Sequence, residues 1–190
     1  MIFMINYYNM EPPQIQVDSE YLIDESVSMN EYHSLYDKWV LWAHLPHDTD
    51  WTLKSYRKIA KVSSVEEAIA LVNSVPDQMI KNCMLFLMRD GIIPLWEDPA
   101  NKNGGCFSFK IVNKHIANIW RVVSQVIMGE TISNDKKFLE SVNGMTISPK
   151  RSFCILKLWM KDLDHQNPQK ICDIDNLSVH GCLFKRHVNK

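Results

Sequence analysis

The chain has 190 residues, 46% of them hydrophobic and 23% charged. This length and composition suit one globular domain whose core needs neither disulfides nor a structural metal. The formal net charge of −1 excludes a protein that binds a long nucleic acid through a broadly basic surface, so a nucleic-acid ligand is expected to be short or to be held locally.

The N-terminal segment differs in composition from the rest of the chain. Pro12 and Pro13 precede an acidic stretch at residues 18–25, and this pattern predicts a flexible leader at residues 1–30 before a domain at residues 31–190. The first ten residues lack the basic start and the small-residue cleavage site of a signal peptide. No apolar run reaches the roughly 18 residues that predict a membrane span.

The five cysteines are scattered along the chain, and no two have the two-residue spacing of a zinc or redox motif. We therefore predict no metal site and interpret the cysteines as reduced thiols of a cytoplasmic protein. They are Cys83, Cys106, Cys154, Cys172 and Cys182.

Two strands are predicted near the start of the domain, the first from the alternation of its apolar residues. In KWVLWAHL, Trp39 and Leu41 fall on one face, and Val40 and Trp42 fall on the other. The HDTD sequence that follows predicts a loop, and YRKIAKV predicts a second strand at residues 56–62.

Two amphipathic helices follow from the capping and periodicity patterns. Ser64 and Glu67 form a capping box that begins the first helix, which is expected to end near Pro76. Asn113 is predicted to cap a second, longer helix. In the first helix, Val65, Ala68, Ile69 and Val72 fall on one face, and the inner face of the second carries Ile116, Ile119, Trp120, Val123 and Ile127.

Three further strands are predicted at residues 83–91, 107–113 and 153–161. Strands dominate the pattern, and the two helices lie far apart along the chain. The sequence therefore predicts an α+β fold in which helices cover one face of an antiparallel sheet.

The six tryptophans differ in their surroundings. Trp39 and Trp42 in a strand and Trp120 on a helix are predicted to lie in the core. Trp51 instead follows the HDTD loop, and Trp96 lies in PLWEDP before another loop. Since loops run over the surface, these two indoles are the candidates for ligand contact.

Two indoles that face each other across a slot can hold a flat ring, and they favour a cationic ring because the indole face carries negative quadrupole density. The carboxylate of Glu97, next to Trp96, would accept hydrogen bonds from N1–H and the exocyclic amine of guanine. Guanine methylated at N7 is cationic, so stacking, cation–π attraction and the carboxylate would select it together.

Glu97 and Asp98 also allow another interpretation, as a metal-binding or acid–base pair of a nucleotide hydrolase. Adjacent residues in a strand point to opposite faces, and neither a third carboxylate nor a histidine lies close in sequence to complete such a site. These observations favour the binding site over the hydrolase.

Four segments resemble the eukaryotic translation initiation factor 4E family over roughly residues 33–160. RDGIIPLWEDPANKNGG, residues 89–105, carries the most specific match, and HSLYDKWVLW, DWTLKSYRKIAKVSSVEEA and IWRVVSQVIMGE support it. The resemblance implies a curved antiparallel sheet with helices on its convex face and, on its concave face, a slot for the 7-methylguanosine cap of messenger RNA. It implies neither catalysis nor a cofactor.

The resemblance also assigns residues to the slot. Trp51 and Trp96 match the stacking pair, Glu97 matches the carboxylate that reads guanine, and Trp159 matches the tryptophan that touches the N7 methyl group. The backbone N–H of Trp96 would meet the guanine O6.

The phosphate-binding residues of the family are only partly kept. Lys150 falls on a phosphate-binding arginine, with Arg151 as its neighbour, but Cys106 and Ile155 replace two further basic residues. Lys157, two residues before Trp159 on the same strand face, is either a substitute phosphate ligand or a solvated lysine.

The dorsal surface, where the family binds a peptide of its scaffold subunit, departs further. His33, Leu35 and Val65 keep the family pattern, whereas Ile69 replaces the tryptophan that grips the peptide. Ser34, Arg121, Val122 and Gln125 are further departures. Residues 161–190 are shortened or divergent relative to the family.

The leading interpretation is a cytoplasmic translation initiation factor that binds capped messenger RNA. A cap-binding repressor or competitor that does not recruit the scaffold is the alternative with the same pocket, and the hydrolase is the alternative of another class.

Overall fold

The computed structural model describes residues 32–187 of the chain. Its seven strands are β1 (Ser34–His44), β2 (Tyr56–Ser64), β3 (Met84–Arg89), β4 (Gly105–Val112), β5 (Val142–Pro149), β6 (Phe153–Met160) and β7 (Leu183–Arg186). They form one curved antiparallel sheet in the order β2-β1-β3-β5-β6-β4-β7. The predicted α+β fold is confirmed.

The helices are α1 (Val65–Ser74), α2 (Asp77–Asn82), α3 (Ile116–Met128) and α4 (Lys136–Ser141). The capping box at the start of α1 is confirmed. The backbone N–H of Glu67 donates to the Ser64 hydroxyl over 3.2 Å, and the Glu67 carboxylate accepts from the Ser64 N–H over 3.1 Å. Because both groups of the box are satisfied, the chain turns from β2 into α1 without a loop.

The start of α3 corrects one prediction. A 3₁₀ turn at Asn113–His115 precedes the helix, and the cap position is His115, whose side chain makes no capping hydrogen bond. The prediction that Asn113 caps the helix is therefore wrong, since the chain first makes a tighter turn in which the Asn113 carbonyl accepts from Ile116. The predicted inner face is confirmed, since Ile116, Ile119, Trp120, Val123 and Ile127 are all buried.

Alternation along the strands separates two faces of the sheet. Trp39 and Leu41 of β1 point into the main core, where Trp120 of α3 is also fully buried. The opposite face carries a smaller cluster of Phe86, Met88 and Trp159. Helices cover the first face, so the second is left for a binding site.

Trp42 belongs to the second face. It was predicted to lie in the core, yet it is only partly buried and packs against the smaller cluster, whereas Trp39 is fully buried as predicted. The reason is the strand period of two, which turns Trp42 away from Trp39 and Leu41.

Beyond β6, the described chain forms no α-helix up to His187; it makes a 3₁₀ turn at Pro168–Lys170 and the short strand β7. The predicted leader at residues 1–30 lies outside the described residues, and the domain boundary stays a prediction. None of the helices in the described part of the chain has the length and apolar character needed to cross a membrane.

The glycine pair before β4 permits a close backbone approach. A Cβ on Gly104 would lie 1.8 Å from the Met160 carbonyl oxygen, and a Cβ on Gly105 would lie 2.6 Å from that of Lys185. Both distances are shorter than any real contact, so only glycine lets the end of the Trp96 loop reach β6 and β7.

We expect Gly104→Ala to lower the free energy of unfolding by about 1–3 kcal/mol, because backbone atoms must move to admit the new methyl group. Urea denaturation followed by circular dichroism measures the change. Asn103→Ala, one residue earlier and exposed, is the matched control and should change stability by less than about 0.5 kcal/mol. Equal stability of the two variants would contradict the close approach.

Candidate functional site

A cavity of about 400 Å³ lies on the face of the sheet that the helices leave uncovered. Five residues singled out from the sequence line it together. They are Trp51, Trp96, Glu97, Lys157 and Trp159. Tyr56, Thr146 and Ser148 also line it, and no pattern in the sequence distinguishes these three.

The HDTD loop holds Trp51 through local hydrogen bonds. The Asp48 carboxylate accepts from the Asp50 N–H over 2.9 Å, and the Asp50 carboxylate accepts from the N–H and hydroxyl of Thr52. These bonds to Thr52 lower the pKa of Asp50. Side-chain hydrogen bonds therefore stabilise this turn. The Trp51 indole that it carries is 56% exposed.

A buried histidine stacks on Trp51. The His44 ring lies 4.2 Å from the Trp51 ring at an interplanar angle of 4°, and its Nε2–H donates to the Asp50 carbonyl over 2.8 Å. His44 does not line the cavity, whereas Trp51 does. One face of the Trp51 indole is thus covered by the protein, and the other is left for a ligand.

The Trp96 loop is organised around Asn101, which is fully buried. The Asn101 amide donates to the carbonyls of Ile93 and Leu95 over 2.9 and 2.8 Å. Its side-chain oxygen accepts from the Asn143 amide over 2.9 Å. This network holds a loop without regular secondary structure and leaves Trp96 42% exposed at the rim of the cavity.

Asp98 takes part in the same loop. Its carboxylate accepts from the N–H groups of Ile93 and Ala100 over 3.0 and 2.8 Å. Asp98 therefore has a structural role beside Glu97. Across residues 32–187, no group of three histidine, cysteine or carboxylate side chains is arranged to hold a metal ion, and nothing in the site favours the metal-dependent hydrolase.

Glu97 is an exposed carboxylate in a largely apolar cavity. No ion pair within the described residues involves it. Tyr56 lines the same cavity, and its pKa is raised to about 12 mainly by burial and then by the negative charge of Glu97. The Tyr56 hydroxyl stays protonated, and the acceptor oxygens of Glu97 remain available to a ligand with paired donors.

Trp159 closes the bottom of the cavity from β6. It is 2% exposed, and its indole N–H donates to the Thr146 hydroxyl on β5 over 2.8 Å. Because this hydrogen bond satisfies the polar group, Trp159 offers the ligand an apolar surface.

Lys157 lies on the same strand face as Trp159, paired with Thr146 on one side and with Ser108 on the other. Its Nζ lies 5.2 Å from the centroid of the Trp96 ring. The ammonium group thus makes a cation–π contact with one of the two candidate stacking residues.

The other basic residues are placed differently. Lys150 and Arg151 are exposed in the turn between β5 and β6 and do not line the cavity. Cys106 is opposite Trp159 on one side and opposite Lys185 of β7 on the other. Lys185 was missed because β7 was not predicted. The roles of Lys150, Arg151 and Lys157 as phosphate ligands stay predictions.

A second histidine, also missed, lies next to Trp96. The His187 ring is nearly parallel to Trp96, with an interplanar angle of 6° and a centroid distance of 6.0 Å, and it is tilted against Trp159 at 4.9 Å. The only signal in the sequence was a histidine directly after the short stretch LFKR.

The candidate dorsal residues lie around α1, on the helix-covered side of the sheet. Val65 and Ile69 are 39% and 49% exposed, and Leu35 is half-buried against the core. The His33 ring lies 2.6 Å from the Glu66 carboxylate. Arg121 pairs with Asp77 of α2 over 2.6 Å. Whether these residues bind a partner stays a prediction.

The sequence model described as Eukaryotic initiation factor 4E matches residues 34–181. The chain is 29% identical to eukaryotic translation initiation factor 4E of Candida albicans over 161 residues, covering 80% of this chain and 75% of the relative. It is 30% identical to the corresponding factor of Eremothecium gossypii over 148 residues, covering 75% of this chain and 69% of the relative.

Solved structures share the fold. Ascaris suum eIF4E-3, crystallised with an m7G cap, matches with a TM-score of 0.63 and 23% identity over 72% of this chain and 77% of its own. Schistosome eIF4E, crystallised with m7GpppG and 4E-BP, matches with a TM-score of 0.64 and 20% identity over 70% of this chain and 75% of its own.

Proposed function

Since the chain belongs to the eukaryotic initiation factor 4E family, we propose that it binds the 7-methylguanosine cap of messenger RNA as a translation initiation factor. The proposal depends on one observation: the exposed indoles of Trp51 and Trp96 and the unpaired carboxylate of Glu97 line the same cavity. The Ascaris relative was crystallised with such a cap.

The base is held in three ways. Its ring stacks between Trp51 and Trp96, each contact contributing about 1–3 kcal/mol, and the positive charge of the methylated ring strengthens both. Glu97 accepts from the N1–H and the exocyclic amine, and the backbone N–H of Trp96 donates to O6. Trp159 contacts the methyl group on N7.

Lysines meet the phosphate chain. Lys157 lines the cavity beside Cys106, and Lys185 is paired with Cys106 across the adjoining strand. These two lysines surround the position at which the family carries an arginine. Lys150 and Arg151, in the exposed turn between β5 and β6, are the further candidates for phosphate contact.

The proposed activity is reversible binding without catalysis, cofactor or metal, in the cytoplasm. Asp98, the only carboxylate adjacent to Glu97 in sequence, is engaged in the hydrogen bonds of its own loop, which supports binding over hydrolysis. Incubation with a cap analogue and magnesium should therefore leave the analogue intact.

The substitution of Ile69 for the family tryptophan favours one second candidate, a cap-binding competitor that does not recruit the scaffold. Ile69 is 49% exposed and presents less apolar surface than an indole. Pull-down with a scaffold peptide separates the two: retention of the peptide indicates an initiation factor of the usual kind, and its loss in a protein that still binds cap indicates a competitor.

The first test compares methylated with unmethylated ligands. Titration with 7-methyl-GTP should quench tryptophan fluorescence, because both stacking groups are indoles, and should give a far lower Kd than titration with GTP. Equal affinities would reject the cap-binding proposal.

Glu97→Ala should weaken binding of 7-methyl-GTP by about 2–4 kcal/mol, because it leaves the guanine N1–H and amine without a charged acceptor. Glu140→Ala, which removes an exposed carboxylate from α4, is the matched control and should bind as the unaltered protein does. A Kd for Glu97→Ala within about threefold of that protein would show that Glu97 does not read the base.

Lys157→Ala and Lys185→Ala should each weaken the binding of a cap triphosphate more than that of a cap monophosphate, by about 0.5–1.5 kcal/mol. Each should also make binding less dependent on salt concentration. Lys137→Ala on α4 is the matched control. If either lysine makes no phosphate contact, its replacement will change the affinity for the two ligands equally. Titrations at two salt concentrations measure both effects.

A further inference from the structure

We propose that His187 is a positioning residue for Trp96, so that the C-terminal end of the described chain completes the binding site. This inference rests on the proposed function for its binding readout. The evidence comes from the anchoring of His187, from its ring contacts and from its position outside the cavity.

His187 is attached to the Trp96 loop at two points. Its backbone N–H donates to the Gly104 carbonyl over 2.9 Å, and its Nδ1–H donates to the Asn101 carbonyl over 2.8 Å. The preceding strand β7 pairs with β4. The ladder of the sheet therefore fixes His187, and His187 in turn holds two carbonyls of a loop that has no regular structure of its own.

The His187 ring also packs directly on the tryptophans. It is 9% exposed, lies nearly parallel to Trp96 at 6.0 Å and is tilted 54° against Trp159 at 4.9 Å. It does not line the cavity, although both tryptophans do. His187 thus supports the Trp96 indole from outside the cavity and takes up no space that a ligand would need.

The protonation state suits this role. Because Nδ1 carries the hydrogen that Asn101 accepts, Nε2 of the neutral ring is an acceptor, and it is buried without a partner. Burial lowers the pKa of His187, against the opposing effect of the bond to Asn101, and the charge of Lys157 lowers it further. A neutral ring adds no positive charge beside a site for a cationic base.

His44 provides the structural parallel on the other side of the site. It stacks on Trp51 at 4.2 Å and is anchored to its own loop through the Asp50 carbonyl. Each candidate stacking indole therefore has a buried imidazole beside it, and each imidazole donates to a carbonyl of the loop that carries that indole. The repetition supports positioning over incidental packing.

The experiment is a double-mutant cycle in the full chain, read by Kd for 7-methyl-GTP. His187→Ala should weaken binding about three- to tenfold, but it should change the affinity of the Trp96→Ala protein by less than about twofold, since a support for Trp96 has no function without it. His180→Ala removes an exposed histidine of the same segment and should leave Kd unchanged. An equal loss in both backgrounds would overturn the proposal.

A ligand-free measurement keeps the test independent of the cap proposal. The emission of Trp96 is obtained as the difference between each protein and its Trp96→Phe version. His187→Ala should shift this emission to the red and make it more accessible to acrylamide, whereas an unchanged difference spectrum would overturn the positioning role. If His187→Ala does not fold, His187→Phe replaces it in the test, since it keeps a ring but loses the bond to Asn101. Its effect on the emission of Trp96 should be smaller than that expected for His187→Ala.

Discussion

The binding face depends on a single buried amide. Asn101 uses both hydrogens of its side chain to hold the carbonyls of Ile93 and Leu95, and its side-chain oxygen accepts from Asn143. A loop that connects two strands would otherwise leave these polar groups to water, and its tryptophan could take many positions. Because a fully satisfied buried network has few alternative arrangements, the loop holds Trp96 and Glu97 in one place relative to the strands.

The strands supply the second constraint. Their period of two places the helix-facing core and the ligand-facing cluster on alternate residues of the same segments, as Leu158 and Trp159 of β6 illustrate. A residue added to or removed from such a strand would exchange the two faces. One face of the sheet thus packs in the core and the other lines the cavity. The stability of the core is therefore tied to the geometry of the candidate site.

The features that could be predicted from the sequence are those that a short local pattern determines. Local apolar patterns predicted five of the strands, and the Ser64 box predicted the start of α1. Loop placement separated Trp51 and Trp96 from the buried Trp39 and Trp120. The short helices α2 and α4, with six residues each, are too brief to show a periodic stripe.

What sequence reasoning missed was non-local. His187 meets Asn101 across 86 positions of the chain, and no local pattern announces that β7 will pair with β4. Lys185 was missed for the same reason. Asn113 shows the opposite failure, because a favourable capping residue was overridden by a tighter turn.

The contact between Lys157 and Trp96 places a positive charge over one of the two candidate stacking surfaces. The lysine Nζ lies 5.2 Å from the indole centroid. In the proposed complex, a methylated, cationic base would replace the lysine charge over the indole with its own, whereas a neutral guanine would bring none. Discrimination between the two bases would then include a competition between the ligand and Lys157 for the face of Trp96, which works against the uncharged ligand.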